Sequence, residues 1–235
     1  MGRRLLVVQH EPDDPPGWLG EWWEALGVEL TVVRGFLGEA VPTRLAGTGA
    51  DGLVVLGGAM GANDDAEHPW LTPTKELVRD SVRRGLPVLG VCLGHQLASV
   101  ALGGRVGRNP SGRTVGAVPV ALTAEGMGDP LLAGLGGSLA VHFNDDVVLD
   151  VPPGASVLAR LPDGRPQALR LGLRAWGVQF HPETSPEVFA DWLRWERPSG
   201  LTDADREVLA SVEAARDALR EAWAPVAERF VAQLA

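Results

Sequence analysis

Residues 87–104, PVLGVCLGHQLASVALGG, decide the fold. A short apolar run from Val88 to Val91 leads through Gly90-Val91-Cys92-Leu93-Gly94 into a helical pattern, which reads as a buried strand turning sharply into a helix. A nucleophile carried on such a turn needs small residues two before and two after it, because the bend is strained and bulky neighbours would clash. Gly90 and Gly94 meet that need. The turn also sets the Cys92 sulfur at the N-terminus of the helix that begins near Leu93, where free N–H groups and the helix dipole favour thiolate over thiol. Cys92 is the single cysteine of the chain, so it has no internal disulfide partner and builds no thiolate zinc site by itself; any role it has is that of a free thiol.

Upstream, residues 4–9 (RLLVVQ), Val28 to Val33 and Gly52 to Leu56 are further short apolar runs. Helical patterns fill Trp18 to Leu26 and Leu71 to Arg84, the second with Thr72 and Thr74 as available caps and Leu77, Val78 and Val82 on one stripe. This alternation predicts a parallel sheet with helices on both faces. Between residues 105 and 180 the texture changes to short β-like pieces (TVGAVPVAL, SLAVHF, VVLDV, SVLAR, QALRL, RAWGVQF), which are expected to extend the sheet, some of them antiparallel. Pro186 to Trp195 reads as a helix. The segment from Leu201 onward carries apolar residues at three- and four-residue steps, with Thr202 as its cap and Pro225 expected to kink or split it. Its expected place is against the same domain.

Composition narrows the class of function. At 45% hydrophobic and 22% charged the chain reads as globular rather than disordered. A net charge of −9 repels duplex nucleic acid and anionic membrane surfaces, so neither is an expected partner. The apolar run at the start has no small-residue cleavage site and no long apolar stretch follows, so the expected location is cytoplasmic.

A thiolate acting on an amide needs a base, and an acid for the leaving amine; histidine is the usual choice. Of five histidines, His10 and His68 read as ordinary surface or loop residues, and His95, on the same helix as Cys92, reads as structural. His142 ends the strand SLAVH and is a candidate to line the site. His181 stands out: the buried run WGVQF ends directly in His181-Pro182-Glu183, and sites in parallel sheets gather at the carboxyl ends of strands. Glu183 is near enough in sequence to orient the imidazole. Two backbone donors for a developing oxyanion are the Leu93 N–H and the Gly58 N–H, because LVVLGGAMG (residues 53–61) ends a strand in Gly57-Gly58. That loop lacks the Gly-x-x-x-x-Gly-Lys-Ser/Thr pattern of a phosphate cradle.

At these residues the chain resembles the class I, triad-type glutamine amidotransferases, most closely the free-standing GMP-synthase-like members. The resemblance runs over about residues 4–195 and is carried by LVVLGGAMG, VLGVCLGHQL, FNDDVVLDVPPGA and AWGVQFHPETS in that order. It implies an α/β, flavodoxin-like three-layer sandwich with a mostly parallel central sheet. It implies Cys92 as nucleophile, His181 as base and acid, and Glu183 as the orienting carboxylate. Gly57, Gly58, Leu93, Gln96, Phe143, Asn144, Asp145 and Asp146 would bind the substrate, with residues 143–146 read as a loop that contacts the α-amino and carboxylate groups. The implied substrate is glutamine or another γ-glutamyl compound, with no metal or cofactor and with a synthase as possible acceptor of the ammonia. Two features depart from the pattern: Leu93-Gly94 stands where many relatives carry Tyr-Gly or Arg-Gly, and residues 145 and 146 are both acids where relatives often have one. The resemblance implies a domain over 1–198, and residues 199–235 read as a helical extension. A γ-glutamyl peptidase or hydrolase is the neighbouring expectation, and a non-catalytic regulatory subunit using the tail to hold a partner is the alternative from a different class.

Overall fold

The apolar runs become the interior of an eight-stranded sheet in the computed structural model, which describes residues 2–234. The elements in chain order are β1 (Arg4–Gln9), α1 (Gly17–Ala25), β2 (Glu29–Arg34), β3 (Gly52–Val55), α2 (Leu71–Arg83), β4 (Val88–Val91) and α3 (Leu93–Ala101). Then follow β5 (Arg105–Arg108), β6 (Thr114–Pro119), β7 (Ala121–Leu122), α4 (Ala124–Met127), β8 (Leu139–Asn144), β9 (Asp146–Asp150), β10 (Ser156–Arg160), β11 (Pro166–Gly172) and β12 (Ala175–Val178). The helices α5 (Pro186–Glu196), α6 (Asp203–Ala214) and α7 (Arg216–Val231) close the chain.

The sheet order is β2-β1-β3-β4-β12-β11-β10-β7. The first five strands run parallel and the last three alternate antiparallel, the mostly parallel three-layer arrangement of an α/β fold. The central strands read as unbroken apolar runs because both faces are covered. Successive side chains point to opposite faces. Leu5, Val7, Leu89, Val91, Trp176 and Val178 therefore join the core under α1, α5, α6 and α7. Leu6, Val8, Leu53, Val55 and Val88 join the core under α2 and α3.

Three expectations need correction. Four of the strands after residue 105 do not extend the sheet: β5 pairs with β9 and β6 with β8, as separate antiparallel ribbons. Their apolar residues are taken up by the two face cores, Val106 and Val148 on the α3 side and Ala140 and Val141 on the other. The tail breaks at Ala215, between α6 and α7, and α7 continues through Pro225. The carbonyl that Pro225 leaves without a donor belongs to Glu221, an exposed residue. Thr202 caps α6 in a reciprocal capping box with Asp205, whereas neither Thr72 nor Thr74 caps α2. The α7 helix packs inward through Trp223 and Phe230: the Trp223 indole N–H donates to the Leu139 carbonyl at 2.9 Å, and its ring lies 4.9 Å from that of Phe180. Among the described residues no helix is long and apolar enough to cross a membrane.

Candidate active site at the carboxyl ends of the parallel strands

Strand β4 delivers Cys92 into a backbone conformation that L-residues rarely adopt, with φ 48° and ψ −105°; it is the one non-glycine with positive φ among the described residues. Two hydrogen bonds hold the bend. The Cys92 N–H donates to the Val178 carbonyl at 2.8 Å, and the Gln96 N–H donates to the Cys92 carbonyl at 3.1 Å. The flanking glycines are sterically required. A Cβ on Gly94 would lie 2.0 Å from the Val55 carbonyl oxygen, and one on Gly90 2.6 Å from the Gly94 oxygen.

The neighbouring strand β12 runs on to His181, whose backbone N–H donates to the Val141 carbonyl at 2.8 Å. Its Nδ1 pairs with Glu183 Oε1 at 2.7 Å, leaving Nε2 for the sulfur. The ring is buried and packs 4.6 Å from the Trp192 ring, centroid to centroid. Burial alone would strip its proton, but the Glu183 carboxylate and the Cys92 sulfur outweigh burial and hold the imidazole well above its ordinary range. The Gln179 amide N–H2 donates to the Cys92 sulfur at 3.6 Å, and Gln179 Oε1 accepts from Gln96 Nε2 at 3.2 Å. Gln96 Nε2 also donates to the Asp146 carbonyl at 3.0 Å. The sulfur is thus set in a hydrogen-bonded frame built from β4, α3, β9 and β12.

A cavity of about 790 Å³ opens above this frame. Cys92 is only 6% exposed, yet it lines the cavity together with His181, Gly58, Gln96, Phe143, Asn144, Asp145 and Asp146. Gly57, Leu93 and Glu183 lie behind its wall. The Leu93 side chain belongs to the α3-side core, so only its backbone faces the bend. Gly58 sits against it: a Cβ there would lie 2.9 Å from Leu93 Cδ2. The expected loop at 143–146 is instead the end of β8, one turn residue at Asp145, and the start of β9. Phe143 is held between the Arg113 guanidinium, 4.1 Å from its centroid, and the Trp192 ring at 5.4 Å.

The remaining histidines differ from expectation in two places. His10 is a buried residue, not a surface one; its Nδ1 accepts from the Trp70 indole N–H at 3.0 Å, and burial pushes its pKa down to about 3. His142 does not line the cavity: it is buried edge-on to Phe180 at 5.8 Å, and burial followed by the His181 charge pushes it down to about 4. His95 is fully buried beneath β12, where a Cβ on Gly177 would lie 2.4 Å from its Nδ1, and His68 stacks edge-on with Trp70.

Sequence reasoning missed Glu11, Asp14, Gln179 and Trp192. The first two follow β1, whose carboxyl end lies beside that of β3, with β4 next in the sheet. Their signal was the acid-rich EPDD directly after a buried strand. Asp14 is 5% exposed, and burial pushes its carboxyl pKa up to about 8, against the pull of the His181 charge. Gln179 was visible as a polar residue in an apolar strand. Among the described residues no group of three His, Cys, Asp or Glu side chains is placed to hold a metal ion.

The family profile "Glutamine amidotransferase class-I" matches residues 22–196. The glutamine amidotransferase-like protein YfeJ of Salmonella typhimurium is 32% identical over 193 residues, covering 79% of this chain and 77% of its own length. The glutamine-hydrolyzing GMP synthase of Aeropyrum pernix is 39% identical over 163 residues, covering 67% of this chain but only 28% of that enzyme. A gamma-glutamyl-L-1-hydroxyisopropylamide hydrolase of Pseudomonas is 36% identical over 151 residues, covering 61% of this chain and 51% of that protein. In fold, the chain is similar to a glutamine amidotransferase of Thermotoga maritima, with a TM-score of 0.86 at 22% identity over 98% of this chain and 99% of the other.

Proposed function

The chain belongs to the class-I glutamine amidotransferase family, and we propose that it cleaves the side-chain amide of glutamine, or of a γ-glutamyl amide, through a thioester on Cys92. One observation carries this reading: Cys92 stands on a strained bend at the floor of a cavity, beside an imidazole whose far nitrogen is held by a buried carboxylate.

The sulfur attacks the substrate's side-chain carbonyl carbon, and negative charge builds on the oxygen. Leu93 N–H, first in α3 and without an intrahelical acceptor, and Gly58 N–H are the donors for that charge, each contributing on the order of 3 kcal/mol. The carbon–nitrogen bond then breaks, and His181 Nε2 gives its proton to the leaving nitrogen. Water next attacks the thioester while His181 takes its proton; glutamate leaves and the sulfur is restored. Glu183 holds the ring's tautomer and its charged form throughout. Asn144 Oδ1, buried without a donor, and Asp146 suit the substrate's α-ammonium group. Gln96 positions Asp146 and Gln179 rather than reaching the substrate with its N–H2 group, both of whose bonds go to protein.

A second reading, in which the leaving amine is larger than ammonia, is supported by the cavity, whose volume lies in the range of about 300–1,000 Å³ that encloses far larger ligands than one amino acid. It is also supported by the Pseudomonas relative named for a substituted γ-glutamyl amide. The GMP synthase relative supports delivery of ammonia to a synthase partner instead. The test is mass spectrometry of the intact protein mixed with glutamine. A γ-glutamyl adduct located on Cys92 is expected, lost together with turnover in Cys92→Ala; a Cys92→Ala variant with undiminished turnover refutes the proposal. Comparing kcat/KM for glutamine and γ-glutamyl alkylamides separates the two readings.

A further inference from the structure

Resting on the reading that Cys92 cleaves a γ-glutamyl amide, we propose that Glu11 and Asp14 form a subsite for a second positive charge on the leaving amine. The favoured substrates are then γ-glutamyl amides of diamines and similar cationic amines.

The placement follows from His181. A leaving amine must take its proton from that ring, so whatever the nitrogen carries emerges beside it. Asp14 is there. A Cβ built on Gly57 would lie 2.6 Å from Asp14 Oδ2 and 3.0 Å from His181 Cε1, so carboxyl and imidazole meet over the same glycine. Both residues, and Glu11, line the cavity.

The chemistry follows from what Asp14 lacks. It is 5% exposed, and its Oδ1 finds no donor among the described residues. A buried acceptor left unpaired is costly, and its usual explanation is a ligand or a special role. The Glu11 carboxyl is within hydrogen-bond reach of it, a contact that requires a shared proton and so supplies no fixed donor. Elsewhere in the lining arginines answer acids: Arg108 pairs with Asp145 at 3.1 Å and lies 3.9 Å from Asp146, and Arg113 pairs with Glu196 at 2.5 Å. Glu11, Asp13 and Asp14 have no arginine or lysine partner among the described residues. These carboxylates are not arranged as metal ligands. An ammonium group carried on a short chain fits instead: it brings up to three donors and the missing charge.

The test separates subsite from catalysis. Binding of N-(γ-glutamyl)-1,4-diaminobutane and of N-(γ-glutamyl)butylamine, which has the same four-carbon chain without the terminal ammonium group, is measured calorimetrically on the full chain carrying Cys92→Ala. The charged tail is expected to bind about tenfold tighter or better, the scale of one charge-assisted hydrogen bond. Adding Asp14→Asn, or independently the half-exposed Glu11→Gln, is expected to bring that ratio near one and leave the butylamide unaffected. Equal affinities in the parent, or a preference that survives both carboxamides, overturns the subsite. Turnover of glutamine and the butylamide by the unmutated protein is followed in parallel; its absence sinks the hydrolase reading while the binding ratio still decides the subsite.

Discussion

Replacing Cys92 by glycine is expected to give a more stable protein than replacing it by alanine, the reverse of the ordinary order. Both substitutions delete the sulfur and its contacts with Gln179 and His181, so comparing them isolates the backbone. At φ 48° and ψ −105° an L-residue is strained by about 1–3 kcal/mol, and alanine retains that strain. Glycine removes it, at a cost of about 0.4–1 kcal/mol from the larger conformational freedom of its unfolded chain. The difference leaves glycine ahead by about 1 kcal/mol, which in a chain of this length is a Tm higher by about 2–4 °C. Urea unfolding of the two variants, followed by tryptophan fluorescence, gives the free energies directly. If the alanine variant is the more stable by about 0.4–1 kcal/mol, the value for an unstrained site, then the bend holds no strain and the argument from it fails.

Three further variants test the same structure. Glu183→Gln is expected to lower kcat for γ-glutamyl amide hydrolysis by about 10³–10⁴-fold, the scale for losing the carboxylate that orients a catalytic imidazole, while the fold persists by circular dichroism. In the same variant the His181 ring, followed by NMR, is expected to lose its proton at lower pH than in the parent. The ring's raised folded-state pKa stabilises the parent most below the unfolded value of about 6.5, and that contribution fades as pH rises through the folded value. Asp14, pushed up to about 8 from an ordinary 3.8, holds its proton more tightly in the folded state, so its contribution falls as pH climbs from about 4 to 8. Asp14→Asn is therefore expected to be more favourable relative to the parent at pH 8 than at pH 5, by about a few kcal/mol in urea titrations; a difference independent of pH contradicts it. Trp223→Ala is expected to cost about 3–5 kcal/mol by emptying the space between α7 and β8 and freeing the Leu139 carbonyl; a loss below about 1 kcal/mol would place the tail outside the core.

The strands at the centre of the sheet were legible because covering both faces makes each of them an unbroken apolar run. The bend was legible too, since Gly90 and Gly94 answer to local collisions within a few residues of Cys92 and with the strand beside it. The β5–β9 and β6–β8 ribbons were not, because an alternating pattern shows that a segment pairs but not with what. The break at Ala215 escaped notice for a related reason: apolar spacing continues across it, and only the packing of Trp223 and Phe230 shows where α7 must turn. His10 read as a surface residue because its burial depends on Trp70, 60 residues away.

By itself the chain determined that a thiol stands at a strand-to-helix bend and that an imidazole and a carboxylate stand at the end of another buried strand. Each is a property of a contiguous segment, written in glycine spacing and apolar runs. Only the tertiary structure decided what surrounds them. Strand order set β12 beside β4, and so brought Gln179 to a sulfur 87 residues away; β1 beside β3 brought Asp14 over Gly57 to the imidazole. Pairing between distant strands is a choice among many sequence-compatible partners, so the unpaired acid in the cavity wall became visible only once that choice had been made.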